Sequence, residues 1–457
     1  MTVFAHLILF LFIFLPVIHS DAESTRPNFI IVIADDVGWN DIGAYGNPHI
    51  RTPNIDAMAR SGLLFKNAFL TTSSCSPSRA SIMTGRYPHA TGAAELHQPL
   101  AETAVTIPAL LREAGYYAAS VGKFHMGNIR SHFNRIEETR PSGCEKWVEV
   151  LRDRPQDKPF FLWFAGIDAH RAWSATTGKH AIAQPHTNDE VQVPTYIPDA
   201  PQVRRDIAQY YDEISRLDDY VGQVNDELER QGTLENTMVI FMSDNGRPFP
   251  RAKTTLYDDG LKTPFIVQWK NRIAAGTLCD SLVSSVDIAP SIIELAGLER
   301  PQSFQGKSFA NLLANSKESI REYVYGEHNW HDYQAHERSV RSKEFLYIRN
   351  AFPELPGTPP ADAVRSPTYA EMQQRHRDGT LRPVESQIFD VPQPVEALFD
   401  VIQDPDSLNN LAHDPKFADV LTTMRRQHED WAKKTNDSVP EHPTPDKFDR
   451  ETGTRLN

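Results

Sequence analysis

Cys75-Ser76-Pro77-Ser78-Arg79 opens a segment, residues 80–84, that reads as a helix ending at Gly85. Serine and proline suit a first helical turn, where free backbone N–H groups and the helix dipole attract anions. Arg79 adds a fixed positive charge for an anionic oxygen. On composition alone, a buried structural cysteine is the simpler reading of this string. Four more polar clusters invite chemistry: Asp35-Asp36, Gly122-Lys123-Phe124-His125, Asp168-Ala169-His170 and Ser243-Asp244-Asn245-Gly246. Carboxylate and amide oxygens are hard ligands suited to calcium. Histidines such as His125 and His170 move protons near neutral pH, and Lys123 can compensate an anion. Taken singly, the acid pair is a turn or helix cap, each histidine a structural residue and the lysine a solvated charge.

These clusters share a position. Each closes a short apolar run without alternation, at residues 28–34, 117–121, 160–164 and 238–242. Such runs read as strands buried on both faces. Helical patterns lie between them at residues 55–62, 107–115 and 206–231, the last closed by Gly232. The alternation predicts a parallel sheet covered by helices, with ligands at the carboxyl ends of the strands, where all four clusters fall. After a helical pattern at 289–298 the texture changes. Half-exposed strands are expected at 323–325 and 344–349, then a Pro-rich stretch over 352–394 and a short apolar segment at 397–400. An amphipathic helix follows at 417–434, with Leu421, Met424 and Trp431 on one stripe, and then a loosely held tail after Val439. The expected division is a signal peptide at 1–22, a catalytic α/β domain at 23–322, and a smaller C-terminal domain at 323–457 with an antiparallel sheet and a terminal helix.

A chain of 457 residues, 40% hydrophobic and 23% charged, is long enough for this two-part arrangement. Its 33 prolines against 23 glycines indicate loops of fixed shape. A net charge of −13 argues against nucleic acid as a partner, so an anion site must be a local positive pocket within an acidic shell. Residues 7–17 are apolar but too short to span a bilayer, and Ser20 and Ala22 place small residues where a signal peptidase reads. Export is therefore expected, to the periplasm or outside the cell, or to the lysosome in a eukaryote, with no stable membrane insertion after cleavage. Three cysteines make no disulfide scaffold. Cys144 and Cys279 can be imagined as a pair, which leaves Cys75 in need of a chemical explanation.

The longer string at 73–85, Ser-Ser-Cys-Ser-Pro-Ser-Arg-Ala-Ser-Ile-Met-Thr-Gly, resembles the full signature of the formylglycine-dependent sulfatases. The likeness continues in order along nearly the whole mature chain. Asp35, Asp36, Asp244 and Asn245, together with residue 75, match the family's calcium ligands. Lys123 and His125 match its Gly-Lys-x-His motif, His170 its later active-site histidine, and Lys253 the cation before a Leu-Tyr-x-x-Gly string. Within the family the chain is most similar to the heparan N-sulfatase branch. That likeness runs through Leu96-His97-Gln98, residues 193–222 around Pro198-Asp199-Ala200-Pro201, Gly246-Arg247-Pro248-Phe249-Pro250, Arg338-Ser339-Val340, Ser366-Pro367-Thr368-Tyr369, Leu398-Phe399-Asp400, Asp404-Pro405 and Asn410-Leu411. Lys253 departs from the branch, which carries arginine there.

The resemblance implies an alkaline-phosphatase-like sulfatase fold: a large, mixed but mostly parallel sheet sandwiched by helices, plus a smaller C-terminal α+β domain. It implies one Ca2+ ion and oxidation of Cys75 to formylglycine (3-oxoalanine) by a formylglycine-generating or equivalent maturation enzyme. The implied substrate is a sulfated carbohydrate. The hydrated aldehyde attacks sulfur while calcium, Arg79, Lys123 and Lys253 hold the sulfuryl oxygens. His170 protonates the leaving group, and His125 takes the proton whose loss expels sulfate. His97, Asp168, His328, His331 and Arg338 are candidates for the substrate rim. The alternatives are an O-sulfatase acting on another sulfated polysaccharide, a phosphonate or phosphodiester hydrolase, and a sugar-binding protein with a dead site. A binding-only protein has no reason to keep Cys75, Arg79, Lys123, His125 and the metal set together.

Overall fold

The structure is a computed structural model that describes residues 26–176 and 181–456. The segment read as a signal peptide lies outside the described residues. Eight strands form the larger sheet: β1 (Asn28–Ala34), β2 (Leu63–Phe69), β3 (Tyr117–Gly122), β4 (Arg135–Glu137), β5 (Phe160–Ala165), β6 (Thr237–Ser243), β7 (Phe265–Gln268) and β8 (Thr277–Ser284). Their order is β4-β3-β5-β1-β6-β7-β2-β8. Only β7 opposes its neighbours; the other pairings are parallel.

The unbroken apolar runs have the expected cause. In β1, Phe29, Ile31 and Ile33 enter one core while Ile30, Val32 and Ala34 enter another, so both faces of the strand are dry. Helices Cys75–Thr84, Ile107–Glu113 and Ile288–Leu295 cover the first face. The 30-residue helix Pro201–Arg230 lays Ile207, Tyr210, Tyr211, Ile214, Leu217 and Val221 on the second. It starts five residues before the predicted point because Pro201, with φ preset for a helix, takes the first position.

The register places the site. Gly122 pairs with Ala165, Ala165 with Ile33, and Ala34 with Ser243, so β3, β5, β1 and β6 end level with one another. The polar clusters after those strands therefore open onto one surface.

The second sheet is antiparallel: β9 (Val324–His328), β10 (Glu337–Arg341), β11 (Phe345–Asn350) and β12 (Glu396–Asp400), in the order β12-β11-β10-β9. Helix Ala418–Thr435 packs Leu421 and Met424 against Val340, Tyr347 and Leu398. Trp431 stacks on Tyr325 at 5.2 Å and meets Tyr87 edge-on at 5.1 Å, tying this helix to the larger sheet's side of the molecule.

Several expectations need correction. Strand β10 escaped notice because Glu337-Arg338-Ser339-Val340-Arg341 is too polar to read as a strand. The Pro-rich stretch is not merely loop, since it contains helices Ala361–Val364, Pro367–Arg377 and Pro383–Ser386, each with proline at the cap or in the first turn. The tail is firmly held: Trp330 Nε1 donates to Pro445 O, Lys447 N to Asp332 O, and Arg450 pairs with Asp446. Cys144 and Cys279 are free thiols in cores on opposite faces of the larger sheet, so they cannot bond.

Gly122 shows how tightly the strand ends are drawn together. It has φ +97°, and a Cβ there would lie 1.9 Å from Ala165 O, the oxygen that accepts the Lys123 amide. Gly122→Ala is expected to destabilise the protein by roughly 2–5 kcal/mol, from the left-handed backbone plus overpacking. Urea unfolding at neutral pH checks this against wild type.

Candidate active site

Helix Cys75–Thr84 is buried along all ten residues and ends at Gly85 in the left-handed conformation. Its N-cap, Ser74, is extended but does not cap: its Oγ lies 2.7 Å from His331 Nδ1 instead. The Cys75 side chain projects from the first turn toward the end of β1, with Sγ 3.8 Å from Asp35 Oδ1 and 4.0 Å from Asp36 Oδ1. Burial pushes this thiol up to about 12, against the pull of Lys123 and Lys253. As a cysteine, residue 75 is therefore no thiolate at physiological pH.

Around it, three carboxylates interlock with three cations. Lys123 Nζ donates to Asp35 Oδ2 at 2.6 Å, and Lys253 Nζ to Asp36 Oδ2 at 2.8 Å. Arg79 Nε donates to Asp244 Oδ2 at 2.8 Å, and Nη1 donates to Lys123 O at 2.6 Å. Burial alone would raise Asp35; Lys123 above all, with His170 and Arg79, brings it below the usual carboxylate range. The same pairings lift Lys123 and Lys253 despite their burial. Burial raises Asp244.

The acids also suit a cation. Asp35, Asp36 and Cys75 present ligand atoms within 4.8 Å of one another. Asn245 Nδ2 donates to Asp36 Oδ1 at 2.6 Å and to Gly246 O at 2.9 Å, which fixes the amide's orientation. That leaves Asn245 Oδ1 buried beside the cluster with no partner. A divalent ion with oxygen ligands fits the donor set of Asp35, Asp36, Asp244 and Asn245.

Backbone strain concentrates here. Asp36, His97, His125, Arg251 and Thr254 all have positive φ, and for a β-branched residue such as Thr254 that is a true outlier. Each is held from outside. The Asp36 carbonyl accepts from Tyr210 OH of the long helix, and Val37 N donates to Ser243 Oγ. Thr254 N donates to Ser73 O, which locks the loop before Cys75 to the segment bearing Lys253.

The histidines differ in state. Burial, then Lys123 and Arg79, pushes His125 down to about 2, so it is neutral throughout the working range. His97 Nδ1 lies 2.7 Å from His125 Nε2, so the two rings share one proton along that line. His170 Nδ1 lies 2.5 Å from Arg171 O and so carries the proton, leaving Nε2 toward the pocket, 3.7 Å from Asp362 Oδ2.

The other rim candidates lie elsewhere. Asp168 is buried under the His170 loop, where Arg216 grips both oxygens and Ser142 Oγ donates at 2.6 Å. Arg338 is buried in a two-pronged pair with Asp437 at the C-terminal helix. His328 pairs with Glu337 across β9 and β10, and His331 is buried behind Ser74, so neither forms the open edge. Of the five, His97 borders the site, and His331, though buried, lies close enough to feel the charges of Lys253 and Asp362. Asp332 and Asp362 went unnoticed. Asp362 lies in the first turn of a helix that follows Pro359-Pro360, a helix-start signal masked by the surrounding prolines.

Comparisons with known proteins give the class. A sulfatase family profile matches residues 27–135 and 144–298, and the profile of the N-sulphoglucosamine sulphohydrolase C-terminal region matches 251–351. An ulvan-active sulfatase of Formosa agariphila is 30% identical over 91% of this chain and 76% of its own. Human N-sulphoglucosamine sulphohydrolase is 31% identical over 90% of this chain and 91% of its own. The solved structure of BT4656 in complex with D-glucosamine-2-N,6-O-disulfate superposes with TM-score 0.72 at 19% identity, covering 91% of this chain and 99% of that one. The phosphonate monoester hydrolase of Agrobacterium radiobacter superposes with TM-score 0.66 at 16% identity, covering 90% and 96%; these two show the shared alkaline-phosphatase-like fold alone. The molecule is thus a hydrolase of sulfate esters or sulfamates, and the chain belongs to the sulfatase family. Within that family it resembles heparan N-sulfatase.

Two outcomes follow from this geometry. In protein whose residue 75 remains cysteine, iodoacetamide at pH 8 should label Cys75 about 1,000-fold more slowly than an ordinary thiol, because the raised pKa removes the thiolate. Urea should abolish that protection, as peptide mass spectrometry would show. Arg216→Ala strands a buried carboxylate and should cost about 3–5 kcal/mol in thermal or urea unfolding; a loss under 1 kcal/mol would contradict the buried pair.

Proposed function

We propose that this chain is an exported sulfatase that removes sulfate from a sulfated saccharide, divided into a catalytic part at 23–322 and a C-terminal part at 323–457. The observation that carries the reading is the convergence of Cys75, three carboxylates, three cations and the unpartnered Asn245 Oδ1 in one buried cluster. The saccharide class comes from the relatives, whose names specify ulvan and N-sulfoglucosamine.

In this reading Asp35, Asp36, Asp244 and Asn245 hold one calcium ion, which supplies positive charge to polarise the sulfuryl group. Cys75 is converted to formylglycine, whose hydrated aldehyde supplies one hydroxyl to attack sulfur and a second whose proton loss releases sulfate. Arg79, Lys123 and Lys253 stand fixed around that position, so they meet sulfuryl charge without reorganising. His170, as an imidazolium whose Nδ1–H is held by the Arg171 carbonyl, delivers its second proton from Nε2 to the leaving nitrogen or oxygen. His125, neutral and set by His97, receives the second hydroxyl's proton.

The preferred linkage is the N-sulfate of a terminal glucosamine, supported by the likeness to the human sulphohydrolase and its C-terminal profile. The O-sulfatase reading draws on the equally similar ulvan-active relative and on Lys253, because a compact ammonium orients sulfate differently from a guanidinium fork.

The expected result is sulfate release from N-sulfoglucosamine by formylglycine-bearing protein, lost on chelation and restored by calcium. Asp244→Ala should lower the rate by about 1,000-fold or more and weaken calcium binding. His170→Ala should lose about 100–10,000-fold on the sugar, where the leaving group needs its proton, and far less on nitrophenyl sulfate. Full activity of chelated, calcium-free enzyme would remove Asp35, Asp36, Asp244 and Asn245 from the mechanism.

A further inference from the structure

From the arrangement of the pocket we infer that Asp362 is a substrate-contacting residue that selects for nitrogen as the leaving atom. The inference rests on the sulfatase reading above and concerns the sugar side of that site. Asp362, His170 and Asp36 present their ligand atoms within 4.8 Å of one another. Asp362 Oδ1 accepts the Ala363 amide at 2.8 Å, which orients the carboxylate, while Oδ2 lies 3.7 Å from His170 Nε2, beyond hydrogen-bond reach. The side chain is 21% exposed and that of His170 29%, against 1% for Lys253. Both are thus more open to an incoming molecule than the Lys253 ammonium, which lies deeper in the site. Ala361 N donates to Asp332 Oδ2, so a second carboxylate braces the helix that carries Asp362.

A carboxylate beside a sulfate pocket is otherwise a handicap, since it repels the anion. It becomes useful if it faces the atom from which sulfate departs and that atom becomes positive. In a sulfamate, nitrogen has a lone pair of its own, and the proton from His170 adds to it, so that nitrogen becomes positive as the S–N bond breaks. A carboxylate within reach stabilises that growing positive charge. The S–N electron pair then returns to nitrogen, which leaves as a neutral amine while sulfur passes to the attacking hydroxyl oxygen. Cleavage of an O-sulfate leaves a neutral hydroxyl after the same proton transfer, and the carboxylate contributes only an ordinary hydrogen bond. One pocket thus has cations for the sulfate and an anion for the amine.

Asp362→Asn keeps the shape and the oxygen that accepts Ala363 N–H while removing the charge. In formylglycine-bearing, calcium-loaded enzyme, kcat/KM for N-sulfoglucosamine should fall by about 100-fold or more, and for glucosamine 6-O-sulfate by less than about tenfold. Inhibition supplies a readout independent of which linkage is cut. With whichever substrate wild type turns over, glucosamine should inhibit better than N-acetylglucosamine, and Asp362→Asn should erase that difference. Equal losses on both substrates together with unchanged discrimination between the two inhibitors would overturn the inference. If wild type releases no sulfate from N-sulfoglucosamine, the linkage reading fails by itself, and the inhibitor comparison still decides the role of Asp362.

Discussion

A cluster of six buried charges, three carboxylates and three cations, sits where β1, β3 and β6 end, and the molecule is organised to make that burial tolerable. An isolated ion in such surroundings is costly by several kcal/mol, and a pair repays this only with good geometry and full hydrogen bonding. Arg79 and Asp36 are each held twice. Arg79 reaches both Asp244 and the Lys123 carbonyl, and Asp36 accepts from Asn245 and Lys253 while Tyr210 fixes its backbone. The level strand ends, the close approach at Gly122 and the strained backbones of Asp36 and Thr254 all serve that closure. Bringing a cation and an anionic sulfuryl group together into this balanced set preserves it better than adding either alone, which is the physical content of the proposed mechanism.

Much of this was legible in the sequence because the sheet is dry on both faces. Apart from Asn28, residues 28–34, 160–164 and 238–242 are apolar, so the acids that follow them, Asp35, Asp168 and Asp244, stand out. What sequence did not reveal depends on distant packing. Asp168 follows β5 by three residues where Asp35 follows β1 directly, and its side chain turns to Arg216 of the long helix rather than to the site. Whether an acid at a strand end faces ligand or core depends on a partner 48 residues away. Arg338 carries a similar lesson, since its partner Asp437 lies beyond the C-terminal helix. The C-terminal sheet was harder still: β10 is polar because its side chains make ion pairs rather than an apolar face.

The frame itself does not select the substrate. A phosphonate hydrolase and a sulfated-glucosamine complex superpose almost equally well on this chain. Discrimination must therefore come from side chains around a shared frame. The later part of the chain brings several side chains near that frame: His331 behind the Cys75 helix, Asp362 beside His170, and Asp332 at the helix that carries Asp362. The tail reinforces that wall through Lys447 and Asp332. In the proposed mechanism the strand ends set up the sulfate chemistry, while the segments after residue 322 face what sulfate is attached to.

The central claim, that this charge cluster is built to close around one divalent cation, is tested most directly by a crystal structure of the formylglycine-bearing enzyme grown with calcium, with the ion located by its anomalous signal. The account predicts a single ion ligated at about 2.3–2.6 Å by Asp35, Asp36, Asp244 and Asn245 Oδ1, with residue 75 beside it. An ion bound elsewhere, or Asn245 Oδ1 still without a partner at saturating calcium, would contradict it.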